Sequence, residues 1–190
     1  MPVLLLTGFR AWGDHACNPS QELVEAAQPP LPPGWSLRTV CLPVSWKDTV
    51  PAFFEALTPD TGAILAFGLA ANRRTIQPER FARNAASGPD GDGQPPPFPV
   101  LAEEGPTRRS STLPVDELVA ALTRANLPAD VSEDAGDYLC NALSYAFLGH
   151  INRLPKTIPA GFIHLPPDEW LSAEDRLRAL DIIVATTLAP

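Results

Sequence analysis

The chain lacks anything built to cross a membrane. Its longest apolar-rich stretch, residues 63–71, falls far short of the roughly 20 residues a spanning helix needs. The start, Met1-Pro-Val-Leu-Leu-Leu-Thr-Gly8, has no basic segment ahead of its apolar run and does not read as a secretory leader. Cationic charge is scarce as well: 14 Lys and Arg against 22 Asp and Glu leave a net charge of -8. Without a basic footprint, neither nucleic acid nor an anionic membrane surface is an expected partner. Cysteine is sparse, with Cys17, Cys41 and Cys140 widely spaced and odd in number. That pattern suits a reducing, cytoplasmic setting better than a disulfide framework. Also missing are a Gly-x-Ser-x-Gly elbow, a Gly-x-Gly-x-x-Gly fingerprint, a phosphate-loop signature and a Cys-x-x-Cys pair. Serine-hydrolase, nucleotide and structural-zinc readings lose their main support. His15 and Cys17 stand close enough to share a metal, but no second pair joins them, so an ordinary loop and no metal are expected.

What is present is enough for one domain, since 190 residues that are 45% hydrophobic can bury a sizeable core. The 23 prolines and 12 glycines punctuate it heavily without reaching a disordered composition. Short apolar or β-rich runs at residues 3–6, 36–42, 63–67, 130–132 and 162–165 predict strands. Between them, Asn18-Pro-Ser-Gln21 reads as a helix start in which Asn18 caps and Gln21 completes a capping box. Ser45 is expected to cap a helix reaching residue 57, with Pro51 kinking it. Residues 115–125 and 138–148 read as further helices, and Ser172-Ala-Glu-Asp175 as the cap of the last. Residues 85–112, including Pro95-Pro-Pro-Phe-Pro99, are expected to form an irregular surface loop rather than a polyproline ligand.

Apolar strands alternating with helices argue for an α/β fold, a mostly parallel sheet covered on both faces. Ligands of such folds sit beyond the carboxyl ends of the strands, which directs attention to residues 8–18, 44–46, 68–84, 134–141 and 164–167. Cys140 falls in the first turn of a helix in that set. Unpaired amides and the helix dipole there favour a thiolate and can hold an oxyanion. From composition alone a lone cysteine reads as a small buried hydrophobe, and it is the position at a helix start that turns the reading toward chemistry. His164, in Gly161-Phe-Ile-His164, ends a strand at the same sheet edge and is placed to shuttle the proton. His150, at the far end of the cysteine's helix, is the weaker candidate. Glu79, beyond the third strand, can orient an imidazole, or can simply pair with Arg80 or Arg83 on the surface.

Taken together, Leu6-Thr-Gly-Phe9, Trp12-Gly13, Asn18-Pro-Ser20, Leu42-Pro-Val-Ser45, Gly68 with Arg73, Glu79-Arg-Phe-Ala82, Val131-Ser-Glu-Asp-Ala-Gly-Asp-Tyr-Leu-Cys-Asn141 and Gly161-Phe-Ile-His164 resemble pyroglutamyl peptidase type I. The resemblance implies a cytosolic cysteine peptidase that removes N-terminal pyroglutamate without a cofactor. It implies a three-layer α/β/α fold that assembles as a homo-oligomer, a tetramer or dimer. By it, Cys140 is the nucleophile, His164 the general base and acid, and Glu79 the residue that orients the histidine. The family's aromatic pair around the lactam ring falls on Phe9 and Trp12, the latter replacing a usual phenylalanine. Leu69, Tyr138 and Leu139 complete the pocket. Leu69 stands where several members have glutamine, and the chain between Asn84 and Pro89 is shorter than the family pattern. Two other classes remain open at this point: a nucleoside phosphorylase-like transferase on a similar layered fold, and a non-catalytic binding module.

Overall fold

The computed structural model describes residues 1–13 and 17–189, so His15 lies outside the described residues. Strands β1 (Val3–Phe9), β2 (Ser36–Leu42), β3 (Thr61–Leu69) and β7 (Ala160–Leu165) run parallel, and the two-residue β4 (Gln77–Pro78) joins β7 antiparallel. Their order across the sheet is β2-β1-β3-β7-β4. A separate ribbon pairs β5 (Phe81–Arg83) with β6 (Arg108–Ser110). The second of these strands lies inside the proline-rich stretch, where sequence periodicity gives no signal for so short a run.

Alternation along the strands assigns each helix to a face. Leu4 and Leu6 of β1, Ala63, Leu65 and Phe67 of β3, and Ile163 and Leu165 of β7 point to one side. There they meet α1 (Pro19–Ala26), α3 (Val115–Arg124) and α5 (Ala173–Thr187) through Leu23, Leu118 and Ile183 among others. Leu5 and Phe9, Ile64 and Ala66, and Ala160 and Phe162 point to the other side, against α2 (Thr49–Ala56) and α4 (Leu139–Ile151). The fold is thus the expected α/β sheet with helices on both faces. The two helical layers have different polarity. Helix α4 is buried nearly all round, and α3 keeps a polar side. A buried cation ties the first layer together: Arg176 of α5 pairs with Glu22 of α1 at 2.8 Å and with Asp168. Removing either carboxylate would leave that charge undercompensated in a dry setting.

Three local expectations are corrected. Asn18 does cap α1, accepting from the Ser20 amide at 3.0 Å, but Gln21 accepts from the Ala11 amide instead of closing a capping box. Helix α2 begins four residues after Ser45, which bonds Asp48 through its hydroxyl. Pro51 therefore falls in the first turn, where no intrahelical partner for its missing N–H is needed, and it breaks no bond of the helix. Residues 130–132 form no strand. Around them only isolated bridges form, Ile76 to Ala129 and Glu79 to Ser132, because Pro128 and the following turn leave too few residues in register.

No helix of the described residues is long and apolar enough to cross a membrane.

Candidate active site

Sheet parity decides where the chemistry sits. His164 is two residues beyond Phe162 on β7, so it projects toward the α2 and α4 layer, and its register partner on β3 is Gly68. Helix α4 starts at that same edge. Gly136, at φ +79°, turns the chain in a conformation that disfavours side chains, and Tyr138 then enters extended as the N-cap. No side chain caps this helix, so its first-turn amides are not taken by one. The fully buried Asn141 anchors the turn, accepting from the Arg83 amide at 2.7 Å and donating to the carbonyls of Arg83 and Ala85, each at 2.9 Å.

Cys140 lies over the sheet where Gly68 leaves out a side chain. A β-carbon on Gly68 would stand 2.8 Å from its Sγ and 2.7 Å from the Phe162 ring. Since Gly68 and His164 are partners on adjacent parallel strands, the sulfur stands over the sheet position about one strand spacing, ~4.8 Å, from the His164 backbone. Phe162 packs against the imidazole with ring centroids 4.9 Å apart.

Behind the histidine, Glu79 is held by backbone on both sides. Its amide donates to the Phe162 carbonyl at 2.9 Å, and the Arg80 amide next to it donates to Ser132 at 2.7 Å. The Glu79 side chain is buried, and its Oε1 lies 2.6 Å from His164 Nδ1. Arg73 donates to the same oxygen at 2.7 Å and, through its other nitrogen, to the Asp134 carbonyl. Burial opposes ionisation of Glu79. The hydrogen bond and charge of His164, the neighbouring Ser132 hydroxyl and the charge of Arg73 outweigh burial and hold the carboxyl below its usual range. An ionised acceptor at Nδ1 fixes the tautomer with its proton there and leaves Nε2 as the base.

The thiol departs from the sequence expectation. Burial pushes the Cys140 thiol up to about 12, with the charge of Glu79 adding to the effect, and its own backbone amide and Arg73 pulling only weakly the other way. Desolvation thus favours the thiol over the thiolate at rest. The helix start does not outweigh desolvation and the charge of Glu79 at this partly buried position.

Beyond the sulfur a cavity of about 40 Å³ is lined by Phe9, Trp12, Leu69, Tyr138 and Leu139, with Asn18 and Val44. The five residues proposed for substrate contact thus meet at Cys140. No carboxylate lines this cavity among the described residues. His150 is elsewhere, edge-on to Phe54 with centroids 5.6 Å apart and lining a different cavity. Arg80 and Arg83, the surface partners considered for Glu79, pair instead with Asp116, Glu133 and Asp134. Sequence reasoning gave Arg73 no role beyond its place in the motif with Gly68. In the structure Arg74 stacks on Trp170, while Arg73 turns inward to Glu79. The available signal was a cation six residues before a glutamate, both beyond the end of the same strand.

The arrangement supplies a sulfur nucleophile, a base with a free nitrogen, an orienting carboxylate, unpaired amides and an apolar pocket. The match to known proteins is consistent with it. Residues 2–184 match the family model for pyroglutamyl peptidase. The chain is 36% identical over 177 residues to the pyrrolidone-carboxylate peptidase of Halalkalibacterium halodurans, covering 90% of this chain and 87% of that one. It is 33% identical to pyrrolidone-carboxylate peptidase 1 of Caldanaerobacter subterraneus, covering 95% of each. Among solved structures, pyroglutamyl peptidase I from Bacillus amyloliquefaciens superimposes with a TM-score of 0.91 at 30% identity, covering 100% of this chain and 97% of that one. Pyrrolidone carboxyl peptidase from Thermus thermophilus does so with a TM-score of 0.87 at 31% identity, covering 96% and 99%.

Proposed function

Because the chain belongs to the pyroglutamyl peptidase family, we propose that Cys140, His164 and Glu79 are its catalytic triad and that Phe9, Trp12, Leu69, Tyr138 and Leu139 hold the lactam ring. The protein hydrolyses the amide bond after an N-terminal pyroglutamyl residue, releasing pyroglutamate. The transferase and the non-catalytic readings find no support among its relatives. The observation that carries the triad is the Glu79 to His164 contact at 2.6 Å on the strand partnered with Gly68, over which the Cys140 sulfur sits.

The resting thiol sets the order of events. Nε2 of His164 takes the Cys140 proton as the sulfur attacks the pyroglutamyl carbonyl, so the ion pair forms only with the new C–S bond. The negative charge that develops on the carbonyl oxygen falls at the start of α4, where backbone amides donate hydrogen bonds to it. Imidazolium, stabilised by Glu79, then returns the proton to the leaving amine, and the C–N bond breaks to leave a thioester. Water, deprotonated by Nε2, cleaves the thioester, releasing the pyroglutamate carboxylate and restoring the thiol. Arg73 fixes the position of Glu79 and adds a smaller share to the His164 interactions that favour its ionised form.

The decisive experiment is turnover of a pyroglutamyl arylamide beside the matching prolyl arylamide, with Cys140→Ser and His164→Ala as variants. We expect cleavage of the first substrate only and loss of it in both variants. Full activity in Cys140→Ser would exclude the nucleophile. We also propose, on the family resemblance, a cytoplasmic homo-oligomer, a dimer or tetramer. Light scattering would then give a multiple of the 20.4 kDa chain mass.

A further inference from the structure

A second cavity opens beside the first. It has a volume of about 240 Å³ and runs along α4, with Leu139 as the wall common to both. Trp46 on its side and Tyr138 on the other pack edge-on at 5.7 Å, forming the rest of the partition. Its floor follows α4 from Leu139 through Ala142 to Tyr145, and its outer lip is the proline-rich segment with Pro97, Phe98 and Val100. Phe98 and Val100 remain 70% and 45% exposed. Asp90 pins that lip, accepting from the amides of Trp46, Asp92 and Gln94 at 2.8–3.0 Å.

At the far end stands one cation. Arg109 stacks on the Tyr145 ring at 3.8 Å and donates through Nη1 to the Tyr145 carbonyl at 2.5 Å. Gly149 makes room for it, since a β-carbon there would lie 1.8 Å from Nη1. Arg109 is the cation among the residues lining this groove, and it forms no ion pair among the described residues. Its remaining N–H donors have no protein acceptor among them either, so a half-buried guanidinium faces an apolar groove with unused hydrogen-bonding capacity.

We propose that this groove binds the leaving side of the substrate and that Arg109 recognises its terminal carboxylate. The inference rests on the peptidase reading of the adjoining site and adds a length and end-group preference to it. Distance supports the assignment. Six helix positions from Leu139 to Tyr145 span about 9 Å at 1.5 Å each, and an extended peptide covers that in two to three residues at about 3.3–3.6 Å each. Peptides of three or four residues in all therefore bring their carboxylate to Arg109, and a dipeptide falls short. Charge supports it too, because Arg109 is the cation lining the groove and no carboxylate among the described residues lines it to compete for the guanidinium.

The test compares pyroglutamyl-alanyl-leucyl-alanine as the free acid with its C-terminal amide at low ionic strength. For wild type, KM for the acid should be about fivefold lower than for the amide, as befits one charge-assisted contact at a half-exposed site. Added salt should narrow the ratio. Pyroglutamyl-alanine against its amide should show a ratio near one. In Arg109→Gln the ratio for the longer pair should fall to about one, and Arg109→Lys should keep part of it. Equal KM values in wild type, or a ratio that survives Arg109→Gln in a variant with an unchanged melting temperature, would overturn the proposal. The pyroglutamyl arylamide, which has no carboxylate, separates the two levels: failure of wild type on that substrate would overturn the peptidase reading itself.

Discussion

The Cys140 sulfur occupies the space left by the absent side chain of Gly68, directly beside the strand position of His164. A methyl group on Gly68 cannot coexist with it, because it would meet Sγ at 2.8 Å and the Phe162 ring at 2.7 Å. Gly68→Ala should therefore displace the thiol from the imidazole. We expect kcat to fall at least tenfold on the pyroglutamyl arylamide, with a stability loss of about 1–3 kcal/mol typical of overpacking. A variant with wild-type kcat would show that the sulfur need not lie there.

Glu79 links activity to acid stability. Its folded-state ionisation lies below the ordinary glutamate range, so its contribution is present above the unfolded value, about 4.3, and is lost as pH falls through the lower folded value. Glu79→Gln removes that contribution. Urea unfolding should show a gap between wild type and Glu79→Gln at pH 6 that narrows steadily below about pH 4.5. A gap independent of pH would mean that Glu79 stabilises by packing alone. On activity, the same variant should retain a measurable remainder, since an amide still holds the ring but stabilises imidazolium less.

The raised thiol of Cys140 predicts its chemistry with alkylating agents. With an ordinary thiolate fraction so small, iodoacetamide labelling of Cys140 should rise about tenfold per pH unit between pH 7 and 9. Peptide mass spectrometry distinguishes this site from the exposed Cys17. A rate flat across that range would show a thiolate–imidazolium pair already formed at rest, and the order of steps given above would be wrong.

Much of this site is visible in the sequence because strand ends are visible. Apolar runs closed by Gly8 and Gly68, and the strand ending in His164, fix one edge of a parallel sheet, and the motif around Cys140 places a helix start there. Two features are not legible. The orientation of Glu79 depends on β4, a two-residue strand with no periodicity of its own, whose place is set by β7 and by the bridge to Ser132. The ionisation of Cys140 depends on burial and on Glu79, both tertiary facts, so a reading of helix position alone gives the wrong sign. Arg73 shows the same limit: adjacent arginines look alike in sequence, and packing alone sends Arg74 to Trp170 and Arg73 to Glu79.

Selectivity should follow from what the small cavity lacks. Phe9, Trp12, Val44, Leu69 and Leu139 present apolar surface, and among the described residues no carboxylate lines it to pair with an ammonium group. Glu79 is close in the fold but already engaged by His164 and Arg73. A prolyl substrate has nearly the same ring size as a pyroglutamyl one but brings a charged amine. Burying that ion without a partner costs several kcal/mol, so rejection arises from desolvation rather than shape. Trp12→Ala should then raise KM for the pyroglutamyl arylamide by about tenfold, through lost buried area and ring contact. It should not create prolyl activity, because no counter-charge is gained. Leu69→Gln tests the opposite direction. A side-chain amide at that position can hydrogen-bond the lactam, so KM should fall rather than rise. Steady-state kinetics of wild type, Trp12→Ala and Leu69→Gln on the paired arylamides decide the matter, and equal cleavage of both substrates by wild type would refute the pocket described here.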